Sequence, residues 1–126
     1  NGKSPTIFGD GSEAFDFVSV EDCAMANICA MESNANDSFY NVGTGIKHSL
    51  KELAEILIEL TECKKEIQYK PRSQATLVKN RIGCPKKASK EINFNAKIKL
   101  KEGLLSLINW RNKHKSEVES RRTKLK

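Results

Sequence analysis

With 126 residues, 38% of them hydrophobic, the chain is long enough for one domain with a real core, and no apolar run approaches the roughly 20 residues that span a bilayer. Four cysteines without a Cys-x-x-Cys pair, and histidines only at positions 48 and 114, supply no metal-ligand cluster, so free thiols in a reducing cytoplasm are expected. The formal charge of +6 is uneven: residues 1–48 hold Lys3 and Lys47 against seven acids, and residues 49–126 hold 20 basic residues against nine.

The stretch from Pro5 to Asp22 reads as strand, turn, strand and helix start. Ile7 and Phe8 are strand formers, Gly9-Asp10-Gly11 can supply the positive φ of a tight reversal, and residues 15–20 are rich in aromatic and β-branched side chains. Asp22 is expected to cap a helix over residues 23–31, in which Ala24, Asn27, Ile28 and Met31 recur at helical spacing and Ala26 and Ala30 are small enough for close packing. The chain starts without Met and almost directly on a strand, which points to a piece of a longer protein.

A polar loop at 32–38 leads to Phe39-Tyr40-Asn41-Val42, expected as a buried strand, and Gly43-Thr44-Gly45 turns the chain. The dinucleotide fingerprint fails there, because its third glycine would fall on His48, which is expected as an exposed loop residue. Ser49 and Glu52 form a capping box for a helix whose apolar face is Leu50, Leu53, Leu57 and Leu60, with Ala54 and Ile56 beside it. Residues 66–69 alternate as a strand stopped by Pro71, and residues 72–80 form a loop before Arg81-Ile82-Gly83-Cys84-Pro85. Pro85 suits the first turn of a short helix with a basic exposed face, which residues 93–95 break. The last helix carries Leu100, Leu104, Leu107, Ile108 and Arg111 on one side, with Trp110 on its flank, and frays into a basic tail. The fold class expected is α/β, with short strands and about four helices.

The wording of these segments resembles the extended short-chain dehydrogenase/reductase family, in its NAD-dependent nucleotide-sugar epimerase/dehydratase branch. The similarity rests on Gly9-Asp10-Gly11, Asp16-Phe17-Val18, Val20 and Glu21-Asp22, on the loop Asn41-Val42-Gly43-Thr44-Gly45, on Arg81, Gly83, Cys84, Pro85 and Lys87-Ala88, and on Glu102-Gly103-Leu104 with Trp110. Phe15 stands where many members carry Arg, Ser19 where Tyr is common, and Cys84 where an acid is common. The chain is most similar to the carboxyl-terminal, substrate-binding half of the 4-epimerases that act on UDP-glucose or UDP-N-acetylglucosamine.

That resemblance implies an α+β substrate-binding portion at residues 1–115 followed by a basic tail at 116–126, without the cofactor-binding Rossmann part. It implies a nucleoside diphosphate sugar, a UDP-sugar in particular, bound through Thr6, Ile7 and Phe8 at the base, with Phe15 bordering the diphosphate and Arg81 holding it by its planar fork. The implied whole enzyme is a cytoplasmic, homodimeric isomerase that oxidises a sugar at C4 with bound NAD and reduces the ketone on its other face. Catalytic residues are not expected here: Tyr40 is followed four residues on by Thr44 and Tyr69 by Ser73, so the Tyr-x-x-x-Lys pair is missing, and so is an NAD-binding glycine turn. Residues 1–126 alone are expected to bind no NAD and to turn nothing over.

Two other classes stay open from the residues themselves. A basic nucleic-acid-binding module would interleave its cations with aromatics, yet the distal half offers only Tyr69, Phe94 and Trp110. A non-enzymatic regulatory domain derived from the same portion is compatible with every motif. By pattern alone a surface salt bridge is the favoured reading of Arg81, and its position after a polar loop and before the Gly-Cys-Pro-Lys turn reverses that preference.

Overall fold

The computed structural model describes residues 4–72 and 78–123. The first three residues, the centre of the expected 72–80 loop and the end of the basic tail lie outside the described residues. The glycine turn after β1 (Thr6–Phe8) takes positive φ at Gly9 (105°) and Gly11 (79°), while the Asp10 carboxylate accepts from the Ser12 amide at 2.9 Å and its hydroxyl at 2.7 Å. The turn moves the chain from one sheet to another and makes no hairpin. β1 pairs in parallel with β4 (Gln68–Lys70), and β2 (Ala14–Phe15) sits between β3 (His48–Ser49) and β5 (Asn80–Arg81).

The second strand is shorter than residues 15–20 suggest. The Asp16 amide still donates to the Arg81 carbonyl at 3.0 Å, but Ser19 then becomes the N-cap of α1 (Val20–Glu32), its hydroxyl accepting from the Glu21 amide at 3.2 Å. Asp22 is therefore no cap. It lies in the first turn, buried, and its two carboxylate oxygens accept from the amides of Lys97 (3.1 Å) and Ile98 (3.0 Å), 75 residues on.

The face of α1 that packs is the side of the small Ala26 and Ala30, as their size suggests, and not the Ala24, Asn27, Ile28 and Met31 stripe. Ala26 is buried and Cys29 and Ala30 are half-buried, whereas Ala24, Asn27, Ile28 and Met31 are exposed, Met31 to 84%. Small side chains let α1 approach α3 (Lys86–Ile92) closely, and Ala26, Ala88, Ile92 and Phe94 form the central cluster. α3 starts at Pro85 and stops at Asn93, whose left-handed φ of 53° turns Phe94 back so that its amide reaches the Ala88 carbonyl at 3.2 Å. Lys86, Lys87 and Lys90 form its exposed basic face, as the sequence suggests.

Residues 39–42 form no strand, and Phe39 is 92% exposed. A β-prone run becomes a strand only where it pairs, and residues 39–42 pair with none of the described strands. The segment is held by side chains instead. The Tyr40 hydroxyl donates to Glu91 at 3.0 Å, and Lys87 lies 4.9 Å from the Tyr40 ring centre and donates to the Phe39 carbonyl at 3.2 Å.

The capping box of α2 (Leu50–Leu60) is formed as expected: the Ser49 amide donates to Glu52 at 2.6 Å and the Glu52 amide to the Ser49 hydroxyl at 3.1 Å. Leu50, Leu53, Leu57 and Leu60 are half-buried around a buried Ala54. His48 is not an exposed loop residue, since it is half-buried in β3 opposite Phe15. β4 lies where the alternating stretch places it, before Pro71. α4 (Leu100–Lys113) is followed at His114 by α5 (Lys115–Thr123), so the expected fray is helical through Thr123 and the helices number five among the described residues. The Trp110 and His114 rings stack at that junction, 4.9 Å apart.

Candidate functional site

β2 and β5 run parallel with Phe15 and Arg81 as register partners, which sets two of the proposed site residues side by side. A strand at Arg81 is not legible in the sequence, where the position follows a polar loop. Arg81 is exposed, and among the described residues no carboxylate or carbonyl holds its guanidinium; the surface salt bridge that pattern alone allows is not formed. Phe15 is half-buried, its ring 6.0 Å from that of Phe17 and tilted by 59°.

Thr6, Ile7 and Phe8 belong to the other sheet. The Gln68 amide bonds the Pro5 carbonyl (2.8 Å) and the Gly9 amide the Lys70 carbonyl (2.9 Å), so β1 faces β4 through Pro5, Ile7 and Gly9. Alternation then turns the amides and carbonyls of Thr6 and Phe8 to the opposite edge, which no described strand covers. Ile7 is buried, and Thr6 and Phe8 are exposed. β1 is joined to β2 only through residues 9–13, and that connection is anchored at Glu13, a buried carboxylate ion-paired with Arg72 just after β4.

Asp16 is the residue whose role the sequence hides. Its carboxylate accepts from the Thr44 amide (3.0 Å), the Thr44 hydroxyl (2.6 Å) and the Gly45 amide (2.9 Å). Burial works to raise its pKa, but the Thr44 hydroxyl and the amides of Gly45, Thr44 and Gly83 outweigh it and hold the carboxyl below its usual range. A side chain at Gly43 would put its Cβ 2.5 Å from the Asp16 carboxylate, so the glycine there is what admits the contact. Its signals in the sequence are its place in the Asp16-Phe17-Val18 motif and its position one residue beyond Phe15.

The same loop answers whether the described residues fit a dinucleotide. Gly43-Thr44-Gly45 lies in the family's loop and its amides do form an anion-binding turn, but their anion is the internal Asp16 carboxylate. The Thr44 and Gly45 amides are therefore not free for a pyrophosphate, and α2 behind the turn is capped by Ser49 and Glu52. The described residues thus offer those two amides to no dinucleotide at this turn. They also hold no group of three or more His, Cys, Asp or Glu able to bind a metal, and none of their helices is long and apolar enough to cross a membrane.

Residues 1–43 match the NAD dependent epimerase/dehydratase family. The chain is 37% identical over 109 residues to a putative UDP-glucose 4-epimerase of Methanocaldococcus jannaschii, covering 86% of this chain and 34% of that protein. It superposes with a TM-score of 0.83 and 34% identity on the UDP-glucose 4-epimerase of Thermotoga maritima solved with UDP-glucose, covering 89% of this chain and 36% of that one. The UDP-N-acetylglucosamine 4-epimerase of Methanobrevibacter ruminantium, solved with UDP-N-acetylmuramic acid, matches at 28% identity and a TM-score of 0.82, over 90% of this chain and 36% of that one. The chain spans about a third of the length of the relatives it matches. Residues 1–43 thus match the NAD dependent epimerase/dehydratase family, and over most of its length the chain is similar, in its mixed α/β fold of short strands, to about a third of nucleotide-sugar 4-epimerases.

Proposed function

We propose that residues 1–115 are the substrate-binding portion of a nucleotide-sugar 4-epimerase, holding a UDP-sugar while groups outside this chain epimerise it at C4 through a transient ketone. The observation that carries this reading is the exposed guanidinium of Arg81, free of partners among the described residues and fixed in register beside Phe15. A planar, permanently charged fork suits a diphosphate, and the uncovered edge of β1 at Thr6 and Phe8 offers backbone donors and acceptors to a pyrimidine. The ligands in the two solved relatives, UDP-glucose and UDP-N-acetylmuramic acid, agree in the UDP moiety. NAD, the hydride acceptor of the family, is assigned to the remaining part of a homodimeric cytoplasmic enzyme, and residues 116–126 to a basic tail outside the site. Basic helix faces without interleaved aromatics do not favour the nucleic-acid alternative.

Replacing Arg81 by alanine is expected to weaken UDP-sugar binding about tenfold to a hundredfold, the equivalent of one charge-assisted contact of about 1.5–3 kcal/mol. Calorimetric titration with UDP checks it; equal dissociation constants in variant and wild type would remove Arg81 from the site.

Phe15→Arg tests the same geometry from the neighbouring strand. Since Phe15 is only half-buried and is the register partner of Arg81, a second guanidinium there is expected to tighten UDP binding about threefold to tenfold, with ordering and partial desolvation limiting the gain. The melting temperature is expected to fall little. A large fall with no gain in UDP affinity would show that the Phe15–Phe17 contact matters more than the site.

A further inference from the structure

We infer that the Glu13–Arg72 ion pair is a positioning clamp, which holds the β1–β4 sheet and the three-stranded sheet at the spacing that lets one nucleoside diphosphate reach both; the inference rests on the base and diphosphate placements proposed above. The two sheets share no ladder. Two connectors join them, residues 9–13 from β1 to β2 and residues 71–79 from β4 to β5. The ion pair links one connector to the other: Glu13 directly precedes β2, and Arg72 follows β4 by two residues.

Each partner is tied by backbone bonds to its own side. The Glu13 carbonyl accepts from the Leu50 amide at 2.9 Å and the Gly11 carbonyl from the Lys51 amide at 3.1 Å, while the Ala14 amide donates to the Lys79 carbonyl at 2.9 Å. On the other side the Gly9 amide donates to the Lys70 carbonyl at 2.9 Å, two residues before Arg72. Gly9 also leaves room for the carboxylate, since a Cβ there would lie 3.2 Å from Glu13 Oε1 and 3.7 Å from Oε2.

Stability alone does not account for the pair. Glu13 is 8% exposed, and its Oε2 has no hydrogen-bond partner among the described residues, so a buried oxygen has lost its water without compensation. A buried ion pair often contributes no more to stability than apolar side chains of similar volume; what this one adds is a fixed geometry. In sequence Glu13 lies between β1, with the uncovered edge at Thr6 and Phe8, and β2, with the Phe15–Arg81 register pair. A ligand that meets both places at once gains from their correct spacing, and a ligand that meets one of them does not.

The test reads three probes by chemical-shift titration of the full 126-residue chain: UDP, which spans both sheets, and uridine and inorganic pyrophosphate, each of which fits one end. Glu13→Gln keeps the shape of the side chain and removes its charge. It is expected to weaken UDP binding about tenfold and to leave uridine and pyrophosphate within about twofold of wild type. Equal losses for all three probes would show a general disturbance, and an unchanged or tightened UDP affinity would show that the pair sets no spacing; each result overturns the inference. Should Glu13→Gln fail to fold, Arg72→Gln breaks the pair from its more exposed end, and the same pattern is expected. If Arg81→Ala leaves UDP affinity unchanged, the ligand placement fails, and the clamp is decided without ligand by amide exchange in the Glu13 or Arg72 variant. Exchange about tenfold faster at Gly9 and Leu50, with Gln68 and Asp16 unchanged, supports the clamp; unchanged rates at Gly9 and Leu50, or uniform acceleration, overturn it.

Discussion

Truncation of Phe94 to alanine is expected to lower the stability of the protein by about 3–5 kcal/mol, more than any change in the candidate site, because it empties the centre of a tightly packed cluster. Phe94 is 1% exposed and is the largest fully buried side chain among the described residues. Its neighbours are Ala26 and Ala88 in the facing helices α1 and α3, with Ile92, Cys29, Ala30, Tyr40 and Ala96 around them. Two alanines cannot grow into the space that a benzyl group leaves, and a small domain keeps only about 5–15 kcal/mol in total. Urea unfolding followed by circular dichroism gives the change as a lower midpoint at constant slope; a midpoint within error of wild type would show that the cluster is not the core.

The second large effect is expected at Asp22. Asp22→Ala removes the acceptor of two part-buried backbone donors, the amides of Lys97 and Ile98, and should cost about 3 kcal/mol, from two charge-assisted bonds at the lower end of roughly 1.5–3 kcal/mol each. Those amides lie just before α4, whose own N-cap position, Lys99, contributes no side-chain bond, so the carboxylate of α1 fixes where α4 begins. Asp22→Asn retains an acceptor and is expected to cost about half as much. Amide exchange resolves the mechanism: faster exchange confined to Lys97, Ile98 and the first turn of α4 fits the staple, while uniform acceleration would mean that Asp22 matters only to global stability.

How far the fold was legible depends on the range of the interaction that decides each element. The Ser49–Glu52 capping box, the Pro85 start and Asn93 stop of α3, the glycine turn at 9–11 and the apolar face of α2 all formed where the residues place them. Each is settled within about four residues by hydrogen bonding, φ preference or helical periodicity, so neighbouring residues suffice to predict it. The failures have the opposite character. Asp22 reads as a cap because carboxylates suit helix starts, whereas its actual donors lie 75 and 76 residues away. Residues 39–42 have strand composition without a strand partner among the described residues. Phe94, between two asparagines, sits in a stretch that reads only as a break.

The candidate site divides along the same line. The sequence by itself determined the family resemblance, the identities of Arg81 and Phe15, and the lack of both a Tyr-x-x-x-Lys pair and a dinucleotide glycine turn, because these are properties of residue type and spacing. Only the tertiary structure decided that Phe15 and Arg81 are register partners, that Thr6 and Phe8 face an uncovered edge, and that the Thr44 and Gly45 amides are spent on Asp16. It also decided which face of α1 is buried: periodicity offered the larger Ile28 and Met31, and packing chose Ala26 and Ala30. The physical reason is that pairing and burial are set by which segments meet, and a helix that must approach another closely does so on its small residues rather than its most hydrophobic ones.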